Sequence, residues 1–247
     1  MTVSKDYKLN GRHICFLVPA YDGQVPIEFM VSYVYTERLM AKHGVKTTFE
    51  TRVGCALIDK ARNELVHSGI TNTDATDFML IDSDISWSPE SVLRLLCWSM
   101  ENEGINCGMY PVKQDDPKFY FSLARRPDGT LIQNEMGLLQ AEGAPTGFMM
   151  VSRKALAKME PHLETYVPKR GTCEGQRVTL YFQCALHGDL YFGEDIEFCN
   201  RAVRCKVPIW IDPAIDLMHI GRKIYDHTFR GYLESSIQAA KETQSAA

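Results

Sequence analysis

Phe78-Met79-Leu80-Ile81-Asp82-Ser83-Asp84 joins a wholly apolar run to a pair of carboxylates. Four consecutive apolar residues with no polar alternation describe a strand buried on both faces, as in the middle of a parallel sheet. The carboxylates of Asp82 and Asp84 then stand where that strand leaves the core. In an extended chain, residues i and i+2 point to the same side, with Cα atoms roughly 6.5–7 Å apart. Two like charges facing one cleft repel, at a cost on the order of 4 kcal/mol for a 4 Å separation and an effective dielectric near 20. A divalent cation with oxygen ligands removes that cost and makes the pair a phosphate-binding device. The plainer alternative is a polar turn or a helix cap. Capping does not need these carboxylates, because Ser86 or Ser88 precedes Pro89-Glu90, which suits the first helical turn.

Working outward, strands and helices alternate. The run His13–Pro19 reads as a first strand, followed by the turn residues Ala20-Tyr21-Asp22-Gly23. Pro26 opens a helix to about Lys42, ended by His43-Gly44. Lys46–Val53 is a second strand, Leu57–His67 an amphipathic helix closed by Ser68-Gly69, and Asp77–Ile81 the third strand. Ser91–Met100 carries apolar residues at helical spacing, and Ile105–Pro111 is again strand-like. This alternation predicts an α/β domain with a mostly parallel central sheet, whose ligands bind beyond the carboxyl ends of the strands. The first strand is followed neither by GxGxxG nor by a Walker loop.

From about Lys118 the texture changes. Arg126-Pro127-Asp128-Gly129 is a hairpin turn between apolar flanks. Leu138–Glu142 and Phe148–Val151 read as strands joined by Gly143-Ala144-Pro145-Thr146-Gly147, and Ser152 caps a helix from Arg153 to Met159. Residues 160–188 are expected to be irregular, a lid-like loop. Gly193–Cys205 is a helix whose acidic start, Glu194-Asp195, suits the helix dipole. Val207–Ile211 is a strand ended by Asp212-Pro213, and the tail from about Gly231 is helical. The expectation is one Rossmann-like domain over 1–247, with a donor-binding part at about 12–112 and an elaborated acceptor-side part at about 113–230.

Composition narrows the class further. The 247 residues suffice for a full core, and the net charge of −4 is not that of a protein held to nucleic acid by bulk charge. A local basic face is an alternative, since Arg201, Arg204, Lys206, Arg222, Lys223 and Arg230 gather late in the chain, after Lys169-Arg170. No apolar run reaches membrane-spanning length, and Met1–Asp6 has no apolar signal core, so a cytoplasmic location is expected. The eight cysteines form no CxxC and read mostly as buried thiols, with Cys184, His187, Cys199 and Cys205 as an alternative zinc set of unusual spacing.

Six stretches in order, VPAYDG (18–23), DKARNELV (59–66), FMLIDSDISWSPESVLRLL (78–96), GAPTGFMMVSRKAL (143–156), YFGEDIEFCNRA (191–202) and DLMHIG (216–221), resemble glycosyltransferases of the GT-A fold. The similarity is to small phage- and bacterium-encoded members related to family 2. It implies a metal-dependent transfer of a sugar from a nucleotide-diphosphate sugar, such as a UDP-sugar, to a hydroxyl. On that resemblance Asp82-Ser83-Asp84 is the DxD element, Asp84 binds Mn²⁺ or Mg²⁺ directly, Asp82 reaches the ribose or the metal through water, and His219 is a third ligand. Pro19, Ala20, Tyr21 and Asp22 line the nucleobase and ribose pocket, with Arg62, Asn63 and Ser83 steadying the nucleotide. Asp195, with Glu194 beside it, matches the general base of inverting members, and Thr146 and Gly147 belong to the acceptor-side loop. The chemistry suits these assignments: a metal stabilises charge on a departing diphosphate, and a carboxylate can take a hydroxyl proton.

The acceptor expected for phage-encoded relatives is a hydroxymethylated pyrimidine in duplex DNA, in the host cytoplasm. A polysaccharide precursor or a protein is the alternative acceptor. A sugar-phosphate nucleotidyltransferase is the alternative activity, against which stands PAYDGQ (19–24) where such enzymes carry a Gly/Arg-rich loop.

Overall fold

The first half folds as its apolar periodicity requires. β1 (His13–Pro19), α1 (Ile27–Lys42), β2 (Lys46–Arg52), α2 (Ile58–Asn72), β3 (Asp77–Ile81), β4 (Ile85–Trp87), α3 (Pro89–Asn102) and β5 (Ile105–Met109) follow one another. This computed structural model describes residues 7–221 and 223–245, so Met1–Asp6 and Arg222 of the late basic cluster lie outside the described residues. The second half is more broken: β6 (Ser122–Leu123), β7 (Leu139–Gly143), β8 (Phe148–Ser152), α4 (Arg153–Met159), β9 (Thr165–Tyr166) and β10 (Val178–Thr179). It ends with β11 (Ala185–His187), β12 (Leu190–Phe192), α5 (Glu194–Arg204), β13 (Ile209–Ile220), β14 (Ile224–Tyr225) and α6 (Phe229–Ser245).

The large sheet has the order β2-β1-β3-β8-β5-β13-β7-β6, with β4 and β14 on the far end of β13. β1 pairs in parallel with β2 and β3, and β5 in parallel with β13. β8 is antiparallel to both β3 and β5, which still leaves β2, β1, β3, β5 and β13 pointing one way. The sheet is therefore mostly parallel in direction, and it draws strands from both halves of the chain.

Alternate residues of the strands feed opposite faces. Ile14, Phe16, Val18, Met79 and Ile81 pack with Phe29 and Met40 of α1 and Val92, Leu95 and Leu96 of α3. Cys15, Leu17, Phe78 and Leu80 pack instead with Leu65 and Val66 of α2, Leu156 of α4, Phe198 of α5 and Phe229 of α6. Both faces are covered, which is why Phe78–Ile81 shows no polar alternation.

Four local expectations need correction. Gly69 does not close α2: the helix runs on to Asn72, and a Cβ at Gly69 would stand 3.0 Å from the Phe78 ring, so the glycine serves close helix–sheet approach. Asp212-Pro213 does not end a strand. β13 continues through a register shift between Ile211 and Asp216, and buried Asp212 is satisfied by Arg94, Trp98 and the backbone of Ala214. Residues 160–188, expected to be an irregular lid loop, are irregular only in part. They form the β9–β10 ribbon and enter the β11–β12 hairpin, with Val178, Tyr181 and Phe182 buried. Finally, β4 follows Asp84 directly and pairs antiparallel with β13, where no strand was expected.

Candidate active site

The carboxyl edge of the parallel strands gathers most of the sequence-predicted residues. Ile81 ends β3, and Asp82 anchors the next step by donating its N–H to the Gly147 carbonyl at 3.0 Å. The Ile85 N–H then donates to the Asp82 carbonyl at 3.2 Å, closing a turn. This turn overturns the extended-chain expectation that both carboxylates face one cleft. Asp82 and Asp84 diverge, and each takes its own cationic partner.

Asp82 points inward. Its Oδ1 accepts from Nη2 of Arg62 at 2.7 Å, and its Oδ2 lies 3.5 Å from the Tyr110 hydroxyl. Arg62, on α2 and 4% exposed, also donates Nη1 to Glu194 at the start of α5. Burial would lower the Arg62 pKa, but Asp82 and Glu194 outweigh it and raise the pKa instead. Burial likewise pushes the Tyr110 hydroxyl well up, helped by the negative charges of Asp82 and Asp195. Gly147 leaves no room for a side chain unless its neighbours move: a Cβ there would stand 2.5 Å from both Asp82 Oδ2 and the Tyr110 hydroxyl oxygen. Beside it, the buried Thr146 hydroxyl has no hydrogen-bond partner among the described residues.

Asp84 points outward. Its Oδ2 accepts from Nζ of Lys113 at 2.5 Å, and its Oδ1 lies 3.5 Å from Nε2 of His219. Burial raises the Asp84 pKa, yet the bonds and charges of His219 and Lys113 prevail and hold it below the ordinary carboxylate value. β13 delivers His219 here because His219 pairs with Ile85 across β4 and the Ile220 N–H donates to the Asp84 carbonyl at 2.8 Å. The ring is oriented by its other nitrogen: Nδ1 donates to the Pro111 carbonyl at 2.8 Å. A carbonyl only accepts, so Nδ1 keeps its proton in either state, and Nε2 faces Asp84 as a donor in the imidazolium, the state that lowers the Asp84 pKa, and as a lone pair in the neutral ring.

That arrangement can be tested for fit to a divalent cation. Two acceptors, a carboxylate oxygen and an imidazole lone pair, face one another at 3.5 Å. Neighbouring ligands of an octahedral ion at roughly 2.1 Å stand about 3.0 Å apart, so the two side chains would close by about half an ångström to share one. Among the described residues, no group of three or more His, Cys, Asp or Glu side chains is gathered to hold a metal. Such a donor set would suit an ion that takes only one or two protein ligands and the rest from phosphate and water; the carboxylate suits Mg²⁺ or Mn²⁺, and the imidazole favours Mn²⁺. Asp82 contributes to such a site only indirectly, being committed to Arg62. The alternative zinc set disperses: Cys199 is buried against the Ala144 backbone and His187 pairs with Glu197.

The remaining site residues divide. Pro19 ends β1, and Ala20 is pinned to β2 by its N–H to the Arg52 carbonyl at 3.0 Å. Tyr21 is 64% exposed and Asp22 makes only a local turn bond to the Gln24 N–H, so both side chains are open at the edge. Ser83 is half-buried at the turn. Asn63, expected beside the nucleotide, is fully engaged elsewhere. Its side chain donates to the Phe182 carbonyl at 2.7 Å and accepts from the Phe182 N–H at 2.8 Å, tying α2 to the segment before β11. Arg62, with both terminal nitrogens on carboxylates, joins the β3 turn to α5 and is not free for a ligand. Asp195 is half-buried; its Oδ1 accepts from the Ile196 N–H at 2.7 Å. Tyr110 and Lys113 were not among the expected site residues. Both follow β5, and the rule that ligands bind at the carboxyl edge would have pointed to them.

No protein-family model matches the sequence, and no curated protein matches it. Among solved structures, the chain is similar to the crystal structure of A197 from STIV, with a TM-score of 0.52 and 16% identity, over 88% of this chain and 96% of that one. At that identity the likeness concerns the fold: a mixed α/β architecture around a large sheet. No helix among the described residues is long and apolar enough to cross a membrane.

Proposed function

We propose that the protein is a GT-A-type glycosyltransferase that moves a sugar from a nucleotide-diphosphate sugar, with a UDP-sugar as the favoured donor, onto a hydroxyl acceptor. The observation that carries this proposal is the facing pair Asp84 and His219 on the carboxyl edge of the sheet, with the imidazole held in the ligating tautomer by Pro111. Asp84 and His219 would hold Mn²⁺ or Mg²⁺; when bound, such an ion stabilises negative charge on a departing diphosphate as a Lewis acid.

The chain's own residues supply the rest. Tyr21 offers an open aromatic face to a nucleobase, and Asp22 a free carboxylate to a ribose hydroxyl. Asp195, not committed to a cation as Glu194 is, takes the proton from the acceptor hydroxyl. Glu194, through Arg62, holds the start of α5 against the β3 turn and so fixes where Asp195 stands. Thr146 and Gly147 belong to the acceptor-side loop, where the Thr146 hydroxyl lies buried. Of the cations that would follow a DNA backbone, Arg201 and Arg204 pair with Glu197 and Lys223 with Asp115, which weakens the case for duplex DNA as acceptor.

The test is a screen of nucleotide sugars for hydrolysis and transfer with and without Mn²⁺. Asp84→Ala should lose metal-dependent turnover and nucleotide binding. Asp195→Asn should keep nucleotide binding and lose transfer. Undiminished turnover in Asp84→Ala would reject the site, and undiminished transfer in Asp195→Asn would remove Asp195 as base.

A further inference from the structure

Lys113 is the one cation on the open side of the β3 turn that touches Asp84 among the described residues, and its setting is built. Its aliphatic stem lies against Gly221, where a Cβ would come within 3.2 Å of Lys113 Cδ. The segment that carries it is strapped in place. Val112 N–H donates to the Lys118 carbonyl at 2.8 Å, Asp115 pairs with Lys223, and His227 bonds the Asp115 carbonyl at 3.0 Å. The ammonium is thereby presented to Oδ2 of Asp84, the carboxylate oxygen other than the one that faces His219.

An ammonium on Asp84 Oδ2 and a divalent cation between Asp84 and His219 compete for one carboxylate. Both cannot sit there without like-charge repulsion. The Lys113 contact is easily given up: both side chains are about one-third exposed, and water screens pairs of this kind. A lysine is a compact point charge on a flexible stem, suited to a phosphate oxygen once released.

We infer that Lys113 is an exchange cation: it neutralises Asp84 while no divalent ion is bound, and moves onto the donor's diphosphate when the ion arrives. The inference rests on the glycosyltransferase proposal above and adds a diphosphate-binding residue to it. Lys113 is thus a binding residue with two alternating partners, an acidic side chain and a phosphate.

The exchange predicts opposite changes in two affinities. Lys113→Met keeps the stem and its packing on Gly221 but removes the charge. Titrated with Mn²⁺ alone and followed by the electron paramagnetic resonance signal of the free ion, it should bind Mn²⁺ about three- to fivefold more tightly than wild type, since a competitor worth up to about 1 kcal/mol is gone. At saturating Mn²⁺, calorimetry with UDP and GDP should show binding weakened about tenfold, a loss that Lys113→Arg largely restores. A role in packing alone would weaken both affinities together. Unchanged or weaker Mn²⁺ binding, or unchanged diphosphate binding, overturns the exchange. If wild type binds Mn²⁺ and Asp84→Asn does not, while Lys113→Met moves neither affinity, only the role of Lys113 falls. If wild type binds neither Mn²⁺ nor either nucleotide, the glycosyltransferase proposal falls, and the exchange with it.

Discussion

The two ends of one short turn, Asp82 and Asp84, live in different environments. Asp82 is held on the inner side by a buried arginine, a desolvated tyrosine hydroxyl and a glycine that leaves no room for a side chain. Asp84 is held on the outer side by a lysine and a histidine, the lysine about one-third exposed. The same residue type two positions apart is a fixed strut in one case and a replaceable contact in the other. The difference lies in the partners more than in the carboxylates: Asp82 and Asp84 are 27% and 35% exposed, but Arg62 is 5% exposed and Lys113 36%. A buried guanidinium cannot lose its carboxylates cheaply, because water does not replace them, whereas an exposed lysine can give way to another cation at little cost.

The contrast is broken or sharpened most strongly at Arg62. Arg62→Ala leaves both Asp82 and Glu194 facing each other without a cation, and should cost about 3 kcal/mol in urea-monitored unfolding. A loss below about 1 kcal/mol would mean the inner side is no strut. Next comes Gly147→Ala. The added methyl meets Asp82 and Tyr110 at 2.5 Å, so the turn must shift. A destabilisation of about 1–3 kcal/mol is expected. Weakened UDP binding should accompany it, and a variant that unfolds like wild type and binds UDP equally well would show that the inner side yields.

Asn63→Ala tests whether the struts extend beyond the turn. Losing the paired bonds to the Phe182 backbone should cost about 1–2 kcal/mol and speed proteolysis within 160–188, without changing Mn²⁺ affinity. A changed Mn²⁺ affinity would join this region to the site. The smallest effect is on the outer side. The Asp84 pKa is lower in the folded protein than in the unfolded chain, because His219 and Lys113 outweigh burial. Its contribution is therefore present above the ordinary carboxylate pKa and is lost as pH falls through the lower folded value. The wild-type minus Asp84→Asn difference in unfolding free energy should stay under about 1 kcal/mol and level at neutral pH, then shrink below about pH 4. A difference that grew on acidification would reverse the assignment.

Much of the edge was legible without coordinates, because it follows from strand order. A buried apolar strand ending in carboxylates marks the carboxyl edge of the sheet, and Tyr21, Asp82 and Asp84 are there for that reason. The roles of Arg62 and Asn63 were not legible. Both lie on one turn of α2, and nothing in ARNELV (61–66) says that Arg62 meets residues 20 and 132 positions away, or that Asn63 meets a backbone 119 positions away. The outcome at Asp212-Pro213 was hidden for a similar reason: a turn signal became a bulge because Arg94 and Trp98 of α3 satisfy the buried carboxylate.

Local pattern alone determined that strands and helices alternate, that the third strand is buried on both faces, and that carboxylates follow it, since burial and period are properties of neighbouring residues. Tertiary structure alone decided which partner each carboxylate takes. It reversed β8 between β3 and β5, carried His219 to Asp84 on the far end of a register-shifted strand, and set Lys113 on the other oxygen of the same carboxylate. Charge pairing depends on distances across the fold, and only packing sets those.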